Sequence, residues 1–144
     1  MIDQLSVFME NEPGRLTELC RAIGDAGVNM HALTIADTTD FGIVRIICDA
    51  PEKAALALKS VGYSARSTKV MAVAVPNEPG GLAALMDVLK GAGVNVEYAY
   101  CFATPDQRAV FVMKTTGGSG VAEALAAAGF EALQPKDVYS PDEL

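Results

Sequence analysis

No tryptophan occurs in the 144 residues and there is a single histidine, His31; basic side chains number 11 against 18 acidic ones. The resulting formal net charge of −7 disfavours a polyanionic partner, which argues against nucleic acid. No run reaches eighteen uninterrupted apolar residues, and the N-terminus lacks a basic stretch followed by a long apolar one. Neither membrane spanning nor export is indicated, and the expected compartment is the cytoplasm. Cys20, Cys48 and Cys101 are odd in number, far apart and without Cys-x-x-Cys spacing, so they are read as reduced packing residues. There is no Gly-x-Ser-x-Gly elbow, no Gly-x-x-x-x-Gly-Lys-Ser/Thr phosphate loop and no metal-ligand cluster. The lone histidine has no evident nucleophile to serve and no carboxylate or cysteine neighbour. No catalytic residue, cofactor or metal is expected.

What the chain does have is a repeat. Asn11-Glu12-Pro13-Gly14-Arg15-Leu16 returns as Asn77-Glu78-Pro79-Gly80-Gly81-Leu82, an offset of 77 − 11 = 66 residues. Each copy follows an apolar extended run and precedes a helical pattern, so it reads as a strand-to-helix turn. Proline is tolerated at the first helical position, and a glycine beside it allows close approach to the backbone. Amides at a helix N-terminus suit a carboxylate or phosphate. Leu16, Leu19, Cys20 and Ile23 form one apolar stripe, reproduced by Leu82, Leu85, Met86 and Leu89. Gly27 is placed to end the first helix, and Ala26-Gly27-Val28-Asn29 recurs as Ala92-Gly93-Val94-Asn95.

Within the first copy the pattern predicts strands over Ile2–Met9, Val28–Asp37 and Phe41–Cys48, a turn at Thr38-Thr39-Asp40, a helix between Pro51 and Gly62, and a strand from Tyr63 to Lys69. The second copy repeats the order, ending in a helix Val121–Ala128, a short strand from Phe130 and a polar tail. This is the strand-helix-strand-strand-helix-strand order of ferredoxin-like α+β modules, in domains 1–69 and 70–144. No glycine or proline interrupts the chain between Tyr63 and Val75, so one copy is expected to run as extended chain into the next. A module of this size buries only about 60% of its unfolded surface and needs a neighbour. Simple alternation puts Val94, Val96, Tyr98, Tyr100 and Phe102 on one side of a strand, an apolar face whose burial predicts a homodimer.

The doubled order of Asn-x-Pro-Gly-x-Leu opening a helix and Gly-Val-Asn opening the next strand resembles the ACT domains, small regulatory modules that bind amino acids. The resemblance spans nearly the whole chain and is to free-standing proteins made of two such modules, with sheets side by side as a pseudo-dimer. It implies allosteric regulation through an amino acid or similar small carboxylate, and a partner enzyme of amino-acid metabolism. It also implies sites between modules, each built from one turn and the other copy's strand start. One would use Asn11, Pro13, Gly14 and Arg15 with Asn95 and Val96; the other would use Asn77, Pro79, Gly80 and Gly81 with Asn29 and Met30. Arg15 is replaced by Gly81 and His31 by Glu97, so the two sites should differ in charge. The alternative is a subunit that binds no ligand and uses its sheets only to assemble with an enzyme.

Overall fold

Period-two and helical apolar patterns become strands and helices much as the repeat predicts in the computed structural model, which describes residues 1–36 and 40–142. In chain order the elements are β1 (Ile2–Glu10), α1 (Arg15–Asp25), β2 (Met30–Ala36), β3 (Phe41–Cys48), α2 (Pro51–Ser60), β4 (Ser64–Pro76), α3 (Gly81–Gly91), β5 (Val94–Ala103), β6 (Arg108–Gly117), α4 (Val121–Ala127), β7 (Glu131–Ala132) and α5 (Pro135–Val138). The expected turn residues Thr38-Thr39 and the strand end at Asp37 lie outside the described residues. The chain forms two compact units: Asp3–Thr68 with the segment from Pro135 onward, and Met1–Ile2 with Lys69–Gln134.

In the first module the sheet order is β2-β3-β1 followed by the start of β4, all antiparallel where the registers are defined. Leu5 stands opposite Ile46 and Val7 opposite Val44. These residues share one face with Met9 and Cys48 and are buried under Leu19 and Ile23 of α1 and Ala54 and Leu58 of α2. Leu16 and Cys20 flank that core half-buried, so the predicted stripe faces it. Gly27, at φ 76°, closes α1 while the Val28 N–H reaches back to the Ile23 carbonyl at 3.2 Å, the long bond of a Schellman cap. The second module repeats the plan with the order β5-β6-β4-β7 and a core of Val73, Val75, Leu85, Leu89, Phe111, Met113 and Leu125. Each is a ferredoxin-like α+β module with both helices on one face of an antiparallel sheet.

The shared-face expectation for β5 needs correction. Its register against β6 slips between Val96 and Tyr98, which makes Glu97 the extra residue of a β-bulge. Val94 and Val96 therefore belong to the helix-covered core, whereas Tyr98, Tyr100 and Phe102 stand opposite Lys114, Val112 and Val110 on the other face. They are half-buried there, over Val110 and Val112 that are fully enclosed. A matching slip between Met30 and Ala32 makes His31 the bulged residue of β2, 97 − 31 = 66 positions before Glu97. At both bulges the sequence copies differ in charge, His31 against Glu97. Cys101 is exposed, so of the three cysteines it does not pack.

Candidate ligand site

The repeated turn is a type II β-turn. In Glu12-Pro13-Gly14-Arg15 the Arg15 N–H donates to the Glu12 carbonyl at 3.3 Å, and Gly14 sits at φ 87°, ψ −13°. In Glu78-Pro79-Gly80-Gly81 the Gly81 N–H donates to Glu78 at 3.1 Å, and Gly80 sits at φ 83°, ψ −7°. Glycine at the third position supplies the positive φ that turn requires, and proline is favoured at the second. The prolines thus precede the helices instead of occupying their first position, because the turn's fixed φ is satisfied before helical geometry begins. Gly14 and Gly80 become the N-caps, and neither helix has a side-chain cap. A Cβ at Gly14 or Gly80 would meet nothing within 4 Å, so the space beside both turns is open. A Cβ at Gly81 would collide with the Pro76 carbonyl oxygen, which is why an arginine cannot stand there as it does at position 15.

Beside the first turn lies a recess of about 230 Å³ walled by Met9, Asn11, Gly14, Thr17, Ile35 and Gly42 among others. That is below the ~300–1,000 Å³ of pockets for drug-sized molecules and suits a smaller ligand. Glu10 and Glu12 also line the recess, and both reach Arg15, which is half-buried and shared among three carboxylates, Glu10 at 3.5 Å, Glu12 at 3.6 Å and Glu18 at 3.5 Å. The Tyr63 hydroxyl and then the Glu10 charge push its guanidinium above the ordinary value. The rim is therefore already self-compensated, and an incoming carboxylate must compete for Arg15.

The other predicted contacts are at the starts of the second strands. Asn29 and Asn95 are exposed, and Met30 and Val96 half-buried, each pair directly before a bulge. Within one module the turn and the strand start are not neighbours. The turn adjoins the Phe41 end of β3, where Glu10 pairs with Phe41, whereas Met30 pairs with Cys48 at the other end. The second module repeats this, with Pro76 paired to Arg108 and Val94 to Gly117.

A sequence-family model described as "ACT domain pair" matches residues 1–139. The chain belongs to the ACT domain pair family. Among solved structures it is similar to protein BT0572 from Bacteroides thetaiotaomicron, at 36% identity and TM-score 0.88, with 95% of this chain and 94% of that one covered. The regulatory subunits of aspartate kinase from Thermus thermophilus (TM-score 0.66, 16% identity, 88% and 91% covered) and Thermus flavus (0.61, 18%, 88% and 88%) share the fold. No curated protein sequence matches the chain.

One feature of the first ACT module escaped the sequence reading. The His31 Nε2 lies 2.8 Å from Asp49 Oδ1, so the histidine does have a carboxylate partner. Asp49 Oδ1 also accepts the Ser140 N–H at 2.7 Å, and the Asp49 N–H donates to the Asn29 carbonyl at 2.9 Å. The His31 hydrogen bond first and the Ser140 N–H second hold the Asp49 carboxyl below its ordinary range. Beside it, burial and then the charges of Asp49 and Asp142 push the Cys48 thiol up to about 12. Eighteen residues separate His31 from Asp49 in sequence, but Met30 pairs with Cys48, so hairpin register alone would have brought their neighbours together.

Proposed function

We propose that the protein is a non-catalytic regulatory sensor that binds an amino acid, or a similar small carboxylate, at its ACT turns. The recess beside Gly14 is the observation that carries this reading: an open, small cavity where backbone amides at the start of α1 and the Arg15–glutamate cluster can receive the two opposite charges of a zwitterion. Arg15 exchanges one glutamate for the ligand carboxylate, and the released glutamate accepts the ammonium. Asn11, Pro13 and Gly14 form the turn; Asn95 and Val96 of the second module are the strand-start residues proposed to complete the site. Asn77, Pro79, Gly80 and Gly81 with Asn29 and Met30 form the counterpart, which lacks an arginine and is expected to bind differently. A cytoplasmic enzyme of amino-acid metabolism is the proposed partner. Thermal melts with each of the twenty amino acids test the reading. A ligand at a hundredfold excess over its Kd adds about 2.7 kcal/mol of stability, and a flat screen overturns it.

A second reading, an assembly subunit that binds no ligand, is favoured by one patch. Phe8 and Phe41 are 57% and 58% exposed and are diagonal neighbours on the helix-free face, Phe8 opposite Ile43 and Phe41 opposite Glu10. Their counterparts in the second module are Ala74 and Arg108, which stands opposite Pro76 as Phe41 stands opposite Glu10, so the patch is not a feature of the repeat. We propose that it forms a homodimer contact. Light scattering of wild type against a Phe8→Ser, Phe41→Ser double variant tests this, and a wild-type monomer at micromolar concentration refutes it.

A further inference from the structure

The polar C-terminal segment is tied to the first module by a chain of specific bonds. Tyr139 is 5% exposed, and its hydroxyl accepts the Asp3 N–H at 3.1 Å. The Ser140 carbonyl takes the Ala50 N–H at 2.7 Å, while its own N–H donates to Asp49. Asp142 accepts the N–H groups of Glu52 at 2.9 Å and Lys53 at 3.3 Å. Ala50, the N-cap of α2, has no hydroxyl or carboxylate of its own and is held at φ 45°, ψ 63°, a region alanine disfavours. The tail therefore supplies from about ninety residues away both the cap that α2 lacks and the bond that over-determines its strained entry.

Asp49 sits at the centre of this arrangement. One oxygen receives Ser140 and His31, and its backbone N–H holds the carbonyl of Asn29. The second module shows no equivalent among the described residues, since Val96 stands opposite Thr115 as Met30 does opposite Cys48, which makes Thr116 the counterpart of Asp49, and the bulged residue is Glu97. We propose that residues 139–142 are a closing strap that, through Asp49, fixes the bulge at His31 and the start of β2. Strap docking and release would then set whether Asn29 and Met30 are presented in one geometry. The proposal rests on the ligand-site reading only for that consequence.

Hydrogen–deuterium exchange on the empty full-length protein tests the coupling, so its failure is separable from failure of the ligand reading. Asp142→Ala, an exposed-side cap removal that leaves the core intact, should speed exchange at residues 51–54. It should also speed exchange at 28–33 by about fivefold, the population change expected from loss of one hydrogen bond. Residues 94–99, which have no strap, should be unchanged. Asp49→Ala, which cuts the relay at its centre, should give the same rise at 28–33. Faster exchange at 51–54 with a wild-type rate at 28–33 would reduce the strap to a helix cap. An equal rise in all three segments, or none at 51–54, would also overturn the proposal.

Discussion

Replacing Gly14 and Gly81 separately by alanine isolates two distinct reasons for glycine within one repeated motif. At Gly14 the side chain would enter empty space, but the backbone holds φ 87°. The cost is then conformational alone, roughly 1–2 kcal/mol for an L-residue in the left-handed region. About 0.4–1 kcal/mol returns because alanine restricts the unfolded chain. Gly14→Ala should therefore destabilise by about 1 kcal/mol, and Gly80→Ala, at φ 83° and equally open, by the same amount. Gly81 has no positive φ, yet its Cβ would run into the Pro76 carbonyl oxygen, a backbone atom that cannot swing away. Overpacking of this kind costs about 1–3 kcal/mol, and the backbone origin of the clash places Gly81→Ala in the upper part of that range. Urea unfolding of the three variants reads the order as midpoints at unchanged slope. A midpoint that rises for Gly14→Ala would refute the type II turn as the reason for that glycine, and a Gly81→Ala variant no less stable than Gly14→Ala would refute the clash as the reason for Gly81.

The pair at the β3–α2 junction gives a pH signature. Because Asp49 lies below its unfolded value of about 3.9, its carboxylate contributes stability above about pH 4 and loses it as the pH falls further. Asp49→Asn should thus be less stable than wild type at pH 6, with the gap narrowing at pH 3; a gap of equal size at both would show that charge is not involved. Thiol chemistry offers a separate check. Cys101 is exposed and should be alkylated in the native protein at pH 8, while Cys48, buried and raised to about 12, should resist until unfolding. Mass spectrometry of the alkylated peptides decides it, and rapid labelling of Cys48 would contradict its burial. Deleting the chain after Gln134 should lower the melting temperature, since it uncovers the Tyr139 site and uncaps α2; an unchanged melt would mean the docked tail adds no stability.

The repeat made the architecture legible because a fixed offset of 66 residues carries its own internal control. Leu19 and Leu85, or Ile23 and Leu89, are buried alike because the same stripe faces the same kind of core in each module. What could not be read was geometry that breaks a period. Alternation counted from Val94 put Tyr98 with Val96, and one inserted residue, Glu97, reverses that assignment for the rest of the strand. Pro-Gly read as helix entry with proline at the first helical position, and the positive φ at Gly14 and Gly80 makes it a type II turn before the helix instead. The tail carried a signal of its own, an aromatic Tyr139 inside an otherwise polar segment, which is seldom left in solvent.

The bulges that spoil the count are also the positions where the modules diverge, His31 against Glu97, and a bulge re-aims the side chain it inserts. In the first module the re-aimed histidine reaches Asp49 and, through it, the strap; in the second the bulged residue is Glu97, between Val96 opposite Thr115 and Tyr98 opposite Lys114, and the threonines there offer no carboxylate. The two strand starts are thus held by different means although their backbones repeat. If the strand starts do contact ligand, the site using Asn29 and Met30 should respond to changes in residues 139–142, and the site using Asn95 and Val96 should not. Calorimetric titration of the Asp142→Ala variant, with whichever amino acid the thermal screen selects, should weaken one site and leave the other at its wild-type affinity. Equal weakening at both sites would show that the bulges, though aligned, do not distinguish the modules.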